Sequence, residues 1–501
     1  MKNKILFWID ASLVEFGVAK YMQFNSNYEF YGIFDLNYKL KNNFINQSIV
    51  SFKKEWFFWD HVDSKPTEVD MEYLKHFEDK FHINLWNLAY SERVFSKFNP
   101  FHVFSSNEIL SILEQECKFL EHVLSEINPD FLIIKVTDFH RNHLLSLMCQ
   151  SLGIKVLSII PTRLGSRTCI SSDVNKIESW WTENIEETKQ FDFNHFLKNN
   201  GRYRQTTKII SSGTSLSFLT KIKLGLNWAL TDITKDFHKT YDHIGITRFK
   251  VLIFFIKSIF KKYFRKLFID KHFSKEIIDE KFIFFTLQVE PERNLSLDAP
   301  FYTNQLSIIE NIAKSLPIDC TLYVKEHYNM INRNWRPISE YKKLLKMSNV
   351  KLIHPSVPPN ILFEKCLAVS TISGTAGLEG SYYGKPSIIF ADTIYSNLSF
   401  VTRITNFDEL SKKISNSLNQ KIDMIELEKF LKLIYSASFE LDAFNLSGEI
   451  SKKFHHSGFI ISSSINLENL NQFFEKNIDT YQKLAKEFSN SITKYLNFKV
   501  N

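Results

Sequence analysis

The feature that most constrains this 501-residue chain is an alternation of short apolar runs with helical patterns between residues 280 and 395. Apolar runs bounded by turn residues are typical of buried strands. Strands that alternate with helices indicate βαβ units on a parallel sheet, whose functional residues follow the carboxyl ends of the strands. The runs predicted as strands are KFIFFTLQV, CTLYVKEH, VKLIHP, LAVSTIS and PSIIFAD.

The amino-terminal half shows the same alternation, in KILFWID, YEFYGIFD, PDFLIIKV and IKVLSII. The pattern turns mostly helical from about residue 184 to 270, and a long helical stretch ends the chain. The fold class predicted is therefore α/β, with two Rossmann-like lobes, a helical middle segment and C-terminal helices. The predicted domains are an amino-terminal lobe with its helical extension, a basic linker helix, a carboxyl-terminal lobe and a helical tail, at residues 1–245, 246–275, 276–450 and 451–501.

Net charge and cysteine content argue against several classes of protein. The formal net charge of +7 is mild for this length, and no concentrated basic stripe indicates a nucleic-acid partner. The five cysteines are scattered, with no Cys-x-x-Cys pair, which argues against a disulfide framework and a structural zinc site. This usage favours a reducing, cytoplasmic location.

One segment, Phe249–Ile269, is apolar enough to suggest a membrane, but lysines and arginines interrupt it. It is too broken for a bilayer span, and a basic amphipathic helix describes it better. Two interpretations stay open: a linker helix packed on a domain, or a peripheral helix resting on the anionic inner face of the cytoplasmic membrane.

A glycine cluster marks the most informative loop. Four of the 14 glycines fall within TISGTAGLEGSYYGKP, where a buried strand ends and a helix begins. Ser373 or Thr375 can cap that helix, and Gly374 allows close approach of the backbone to a ligand. A helix start with such donors can hold a phosphate, and Glu379 could accept hydrogen bonds from ribose hydroxyls. The alternative is a tight turn whose glycines serve packing alone.

Two further strand ends carry polar side chains. Lys325 and His327 leave the strand CTLYVKEH on the same side, where both could meet a phosphate or a carboxylate. Gln288, Glu290 and Glu292 follow the strand KFIFFTLQV, where they could reach ligand hydroxyls or remain solvated charges.

These motifs resemble a known family. TLQVEPE, VKEH, NVKLIHP and STISGTAGLEGSYYGKPSIIF, in this order, are similar to the bacterial capsule polysaccharide biosynthesis proteins, which include the Kdo transferases. The resemblance implies a GT-B glycosyltransferase architecture with the nucleotide sugar on the carboxyl-terminal lobe. It implies that Lys325 and His327 contact the donor's phosphate, while the Ser-Gly-Thr loop and Glu379 hold its nucleotide. Tyr328 stands where the family usually has proline.

Glycosyl transfer also needs a base for the acceptor hydroxyl. The candidates are Asp138 and His140, directly after a buried strand, with Asp10 as a weaker third. Arg163 and Arg167 could grip an anionic acceptor, or else form surface salt bridges. No Asp-x-Asp triplet is present to hold a metal, so the sequence predicts metal-independent transfer with no cofactor besides the nucleotide-sugar substrate.

The leading hypothesis is a glycosyltransferase that moves a sugar, CMP-linked in the Kdo-like case, to a capsule or surface polysaccharide or a glycolipid. Two alternatives remain. One is a nucleotide-sugar epimerase-like enzyme on the same architecture, and the other is a non-catalytic glycan- or nucleotide-binding member of a polysaccharide export assembly.

Overall fold

A computed structural model describes residues 2–25, 27–162, 164–179, 181, 191–199, 240–455 and 465–500. The chain divides into two compact units. The described residues within 1–189, 201–246 and 434–501 form unit 1, and those within 190–200 and 247–433 form unit 2. The chain therefore returns to unit 1 after completing unit 2.

Each unit is built on one sheet. The strands of unit 1 are β1 Asn3–Asp10, β2 Tyr28–Asp35, β3 Lys54–Phe57, β4 Phe131–Ile133, β5 Lys155–Pro161, β6 Arg167–Ser171 and β13 Ser438–Glu440. The strands of unit 2 are β7 Phe282–Thr286, β8 Thr321–Lys325, β9 Val350–Ile353, β10 Ala368–Thr371, β11 Ser387–Ile389 and β12 Val401–Arg403.

The sheet of unit 1 has the order β13-β6-β5-β4-β1-β2-β3. Strands β1 to β5 pair in parallel, whereas β6 runs antiparallel to β5 and β13 antiparallel to β6. Side chains of a strand alternate between faces, and β1 follows this rule with two buried layers. Leu6 and Trp8 enter one apolar core, and Phe7 and Ile9 enter the other.

The sheet of unit 2 is entirely parallel, in the order β12-β11-β10-β7-β8-β9. Numbered from its own first strand, this is the 3-2-1-4-5-6 order of doubly wound dinucleotide-binding sheets. The chain reverses direction across the sheet between β7 and β10, so the crevice at their carboxyl ends is where such a fold binds ligands.

Helices connect and cover these strands. Several begin at a side-chain cap, as at Ser105, whose hydroxyl accepts from the Glu108 N–H while the Glu108 carboxylate accepts from the Ser105 N–H. The α-helices are Val14–Met22, Tyr38–Phe44, Met71–Phe81, Leu85–Ser91, Ser106–Ile127, His140–Ser151, Phe193–Asn199, Arg248–His272, Arg293–Ser296, Gln305–Ser315, Ile338–Leu345, Pro359–Lys365, Ala376–Ser381, Leu410–Leu418, Met424–Ser436, Ala443–Phe454, Leu467–Lys476 and Ile478–Val500.

The predicted fold class is confirmed by these two α/β units and their largely parallel sheets. The C-terminal helices do not stand apart. Phe474, Tyr481 and Phe488 are buried in the core beside β1, and Gly17 lies so close to Tyr481 that a Cβ there would be 2.3 Å from the tyrosine ring. Among the described helices, none combines the length and the apolarity that crossing a bilayer requires.

Candidate active site

The candidate site of unit 2 lies at the carboxyl ends of β7, β8 and β10, on both sides of the strand-order reversal. Gln288 follows β7, Lys325 ends β8, and Ser373 follows β10. Because neighbouring parallel strands end at the same edge of a sheet, the topology brings together three segments that are separate in the sequence.

Gln288 supports the loop that follows β10. With its carboxamide oxygen facing the loop, Gln288 accepts from the N–H groups of Ser373 and Gly374 at 2.8 Å each. The Ser373 hydroxyl donates to the Asn294 carbonyl at 2.9 Å. A Cβ on Gly374 would lie 2.6 Å from the Thr371 hydroxyl oxygen, so the chain passes too closely for any other residue. The loop is thus fixed in one conformation.

The predicted helix after this loop is present but short, Ala376–Ser381, and its predicted capping by Ser373 or Thr375 is wrong. Thr375 occupies the N-cap position with helical dihedral angles, so its hydroxyl cannot reach back to the first amides; it donates to Glu379 at 2.6 Å instead. The N–H groups of Ser373 and Gly374 face Gln288. The donors that the helix start can offer a ligand are therefore those of its own first turn.

Lys325 is the unusual charge of this site. Its side chain is buried, with the residue 8% exposed, and it donates to the Pro355 carbonyl at 3.1 Å. No carboxylate oxygen of the described residues lies within 4.0 Å of the ammonium nitrogen. Burial lowers the pKa of Lys325 to about 8, despite the opposing charge of Glu326. A buried cation without a counter-ion is costly, and an anionic ligand would supply one.

His327 lies two residues further along, at the start of the 3₁₀ turn Tyr328–Arg333. Its Nδ1 accepts from the Asn329 N–H at 3.2 Å, so the ring proton sits on Nε2. Although His327 is partly open to solvent, the surrounding protein and the neighbouring charges of Lys325 and Arg336 lower the pKa of its imidazole. The imidazole is therefore neutral at pH 7 and offers an Nε2–H donor.

Sequence reasoning missed the network beneath these residues. Arg336, buried in unit 2, donates to Glu326 from Nε and contacts Glu290 from Nη1, at 2.8 Å in each case. Glu326 also accepts from the Tyr341 hydroxyl at 2.8 Å. The network ties the end of β8 to the segment after β7. Glu290 and Glu326 thus share the one guanidinium of Arg336, and Glu292 precedes the short helix Arg293–Ser296.

Unit 1 contains a second cluster of charged side chains. It lies where the strand order of the unit 1 sheet reverses, between β1 and β4. Lys135, just after β4, contacts Asp10 at the end of β1 and Asp138 at 3.2 Å. Asp138 keeps about a third of its side chain exposed, 33%, and also accepts from Asn142. Its predicted role as a base stays a prediction. Lys135 was missed because its partner Asp10 is distant in sequence.

His140 does not fit its predicted role. Its ring is fully buried between Glu92 and Glu116, with N–O separations of 2.5 and 2.7 Å. Although burial lowers the pKa of His140, these two carboxylates raise it to about 10. The imidazole is therefore already protonated and enclosed, so it cannot accept a proton from a substrate hydroxyl.

The arginines predicted to grip the acceptor are placed differently. Arg167 lies in β6 and donates to the Ser438 hydroxyl at 2.9 Å and to the Tyr435 carbonyl at 3.2 Å, with its guanidinium over the Tyr435 ring. Arg167 thereby joins β6 to β13, and its guanidinium is engaged in these contacts within unit 1. Arg163 lies outside the described residues. Within the described ranges, no group of three or more His, Cys, Asp or Glu residues could hold a metal ion.

Residues 233–420 match the family model of the capsule polysaccharide biosynthesis proteins. This part of the chain is therefore similar to that family. The matched range contains Gln288, Lys325, His327 and Ser373, so the capsule-family segment includes the whole strand-end site of unit 2. The cluster around Lys135 lies outside it.

Solved structures add only distant likenesses. The UDP-GlcNAc 2-epimerase of Methanocaldococcus jannaschii is 14% identical with a TM-score of 0.25, over 84% of this chain and 94% of the epimerase. KpsC, a beta Kdo 2,7 transferase of Thermosulfurimonas dismutans, is 13% identical with a TM-score of 0.30, over 70% of this chain and 87% of KpsC. These TM-scores are too low to carry an argument, so the fold rests on the sheet topology. Among curated proteins, none matches the chain.

Proposed function

We propose that the protein is a glycosyltransferase that moves a sugar from a nucleotide-sugar donor to a glycan or glycolipid in the assembly of capsule or surface polysaccharide. The observation that carries the proposal is Lys325, a buried cation without a carboxylate partner among the described residues, at the strand-order reversal of a family-matched sheet. The phosphate of a nucleotide sugar is the anion that suits this position.

The chemistry assigned to the donor side is stabilisation of the leaving group. When the bond between the anomeric carbon and the phosphate oxygen breaks, negative charge develops on that oxygen. The Lys325 ammonium and the His327 Nε2–H supply a charge and a donor for it, and both are fixed by β8 and by the network of Glu326 before the substrate arrives. Gln288, Ser373, Gly374, Thr375 and Glu379 form the remaining donor-binding surface of the proposal.

The acceptor side of the proposal assigns the base to Asp138 in unit 1. Its carboxylate would take the proton of the acceptor hydroxyl as that oxygen forms its bond to the anomeric carbon. Lys135, which contacts both Asp10 and Asp138, would hold the carboxylate of Asp138 in position for this step.

The proposal places the reaction in the cytoplasm and needs neither metal nor cofactor. Support for the location comes from the cysteines, Cys117, Cys149, Cys169, Cys320 and Cys366, all of which are free and buried. The donor's nucleotide is left open among CMP, UDP and GDP, with CMP favoured by the Kdo transferases of the family.

Calorimetric titration of the protein with CMP, UDP and GDP tests the donor site. We expect one nucleotide to bind, and Lys325→Met to abolish that binding while the melting temperature stays equal or rises, because the variant removes an unpaired buried charge. Lys351→Met is the matched control, since Lys351 lies on the neighbouring strand β9 and is paired with Glu280 at 2.6 Å. Nucleotide binding unchanged in Lys325→Met would refute the site.

The pH dependence of the same titration adds a second readout. Lys325 has a pKa of about 8 in the free protein, so it is charged below this pH and loses its proton above it. Affinity for the nucleotide should fall by up to about tenfold per pH unit above pH 8 in the wild type, and this fall should be absent in Lys325→Met.

Turnover distinguishes the competing functions. A transferase releases nucleotide from its nucleotide sugar only when an acceptor glycan is added. Release of a free sugar without an acceptor would favour the epimerase-like alternative, and tight binding with no release under either condition would favour a non-catalytic protein.

A further inference from the structure

The helix Arg248–His272 is held to unit 2 by one of its sides. Ile269 is buried in the core of the unit, and Arg265 donates to the carbonyl oxygens of Asn334 and Trp335 at 3.1 and 2.7 Å. Ser258, on the same side, accepts from the Asn334 side chain at 2.7 Å. This side is therefore firmly attached to the protein.

The opposite side of the helix is apolar and exposed. Its residues recur every three or four positions, so they form one continuous stripe along the helix. Their exposed fractions run from 46 to 72%. An apolar stripe of this length is unusual on a folded surface and marks an interaction site. The stripe consists of Phe249, Leu252, Ile256, Ile259, Tyr263 and Leu267.

The charge of the helix restricts what can cover this stripe. The helix contains eight lysines and arginines against one aspartate, a formal charge of +7 that equals that of the whole chain. A second copy of the helix laid against the first would bring two such charges together, which disfavours self-association. An anionic surface, in contrast, is attracted by the net positive charge of the helix.

A cavity of about 480 Å³ lies along the flank of the stripe, between the helix and Pro337. Lys257, Lys261 and Arg265 contribute cations to its wall, and the rings of Phe260 and Phe264 contribute apolar surface. This combination fits the phosphate of a lipid headgroup next to the start of its acyl chains.

We propose that the helix Arg248–His272 docks on an anionic lipid membrane, with its apolar stripe at the level of the acyl chains and a lipid phosphate in the cavity of Lys257, Lys261 and Arg265. The proposal is independent of the transferase activity, and each can fail without the other. It deepens the sequence hypothesis of a peripheral helix by assigning the contacting side chains and the headgroup site.

Co-sedimentation with vesicles tests the docking. We expect the full-length protein to bind vesicles that contain phosphatidylglycerol, to bind pure phosphatidylcholine vesicles much more weakly, and to be released by salt. Lys257→Glu/Lys261→Glu should weaken binding by at least about thirtyfold, since two basic residues near the anionic surface are lost and reversed. Lys486→Glu/Lys494→Glu, the same charge change on the exposed surface of the helix Ile478–Val500, should leave binding within about twofold of the wild type.

A second variant measures how much the apolar stripe contributes to vesicle binding. Ile259→Ser/Tyr263→Ser keeps all charges, and it should reduce binding to anionic vesicles while the melting temperature stays unchanged, because neither side chain is buried in the protein. Equal binding to neutral and anionic vesicles would overturn the proposal. So would a concentration-dependent dimer, detected by sedimentation equilibrium without lipid and lost in Ile259→Ser/Tyr263→Ser, since the stripe would then be covered by a second copy.

Discussion

At the scale of the residue, the two units place ionisable side chains in contrasting surroundings. Lys325 lacks a carboxylate partner among the described residues, whereas Lys135 is held by Asp10 and Asp138. Glu15, in the first helix of unit 1, is buried next to Asp10. Burial and the charge of Asp10 raise the pKa of Glu15 to about 8.

The raised pKa of Glu15 should make the free energy of unfolding depend on pH. Its folded-state pKa is raised above the unfolded value near 4.5, so the folded state binds more protons between these pH values. Stability is then lost as pH rises from about 4.5 to 8, at up to about 1.4 kcal/mol per pH unit. Glu15→Gln should remove this loss and raise the free energy of unfolding at pH 8 far more than at pH 4, as measured by urea unfolding. A gain of equal size at both pH values would show that Glu15 does not carry this proton.

At the scale of the element, the segments that follow the strands are held together by buried charged side chains, and these side chains lie outside the strands. The end of β8 is fixed by the contact of Glu326 with Arg336, which lies just beyond the 3₁₀ turn after that strand. Arg336 also donates to the Gln288 carbonyl at 2.6 Å, so the same guanidinium positions the segment after β7. Two of the three segments of the candidate site are thus held by one side chain.

Removing this guanidinium should be costly. Arg336→Met leaves the buried Glu326 carboxylate without its cation, and we expect a loss of about 3–5 kcal/mol in the free energy of unfolding. Arg403→Met is the control, because Arg403 and Asp392 form an exposed pair whose loss should cost about 0–1 kcal/mol. Adding Glu326→Gln to Arg336→Met should recover part of the loss, and strictly additive costs would contradict a paired role.

The elements also show what could be predicted from sequence. The runs that contain β7 to β11 were readable as strands because a parallel strand buried on both faces is almost continuously apolar. Strands β3, β6, β12 and β13 were missed, and the last two are each three residues long and only partly buried. The position of Lys325 and His327 at the end of β8 could be predicted because the apolar run of that strand stops there, and their role stays a prediction. The enclosure of His140 was not, because it depends on Glu116 in the helix Ser106–Ile127, which only the folded packing brings against it.

At the scale of the whole molecule, the two units differ in how continuous their chains are. The apolar cores of unit 2 draw their residues from Ile269 to Leu418, within one uninterrupted segment. The core of unit 1 beside β1 takes Ile450, Leu470, Tyr481 and Phe488 from the end of the chain. Unit 2 also includes residues 191–199, but its apolar cores need no residue from outside 269–418, whereas this core of unit 1 needs residues that follow unit 2 in the sequence.

Separate expression of fragments should reflect this difference. We expect residues 247–433 to give a cooperative thermal transition and to bind the same nucleotide as the full-length protein. A chain ending at residue 433 should keep that nucleotide binding but show exposed apolar surface by dye fluorescence, because β1 and its first helix lose their cover. Native-like packing of unit 1 without the last segment would contradict the assignment of these helices to its core.

The return of the chain to β13 and the final helices has a consequence for synthesis on the ribosome. Unit 2 can acquire its structure while translation continues, whereas unit 1 must wait until β13 and the helices up to Val500 have emerged. A product that terminated before residue 438 would thus contain a folded unit 2 next to an incomplete unit 1, and the incomplete unit would be open to proteolysis.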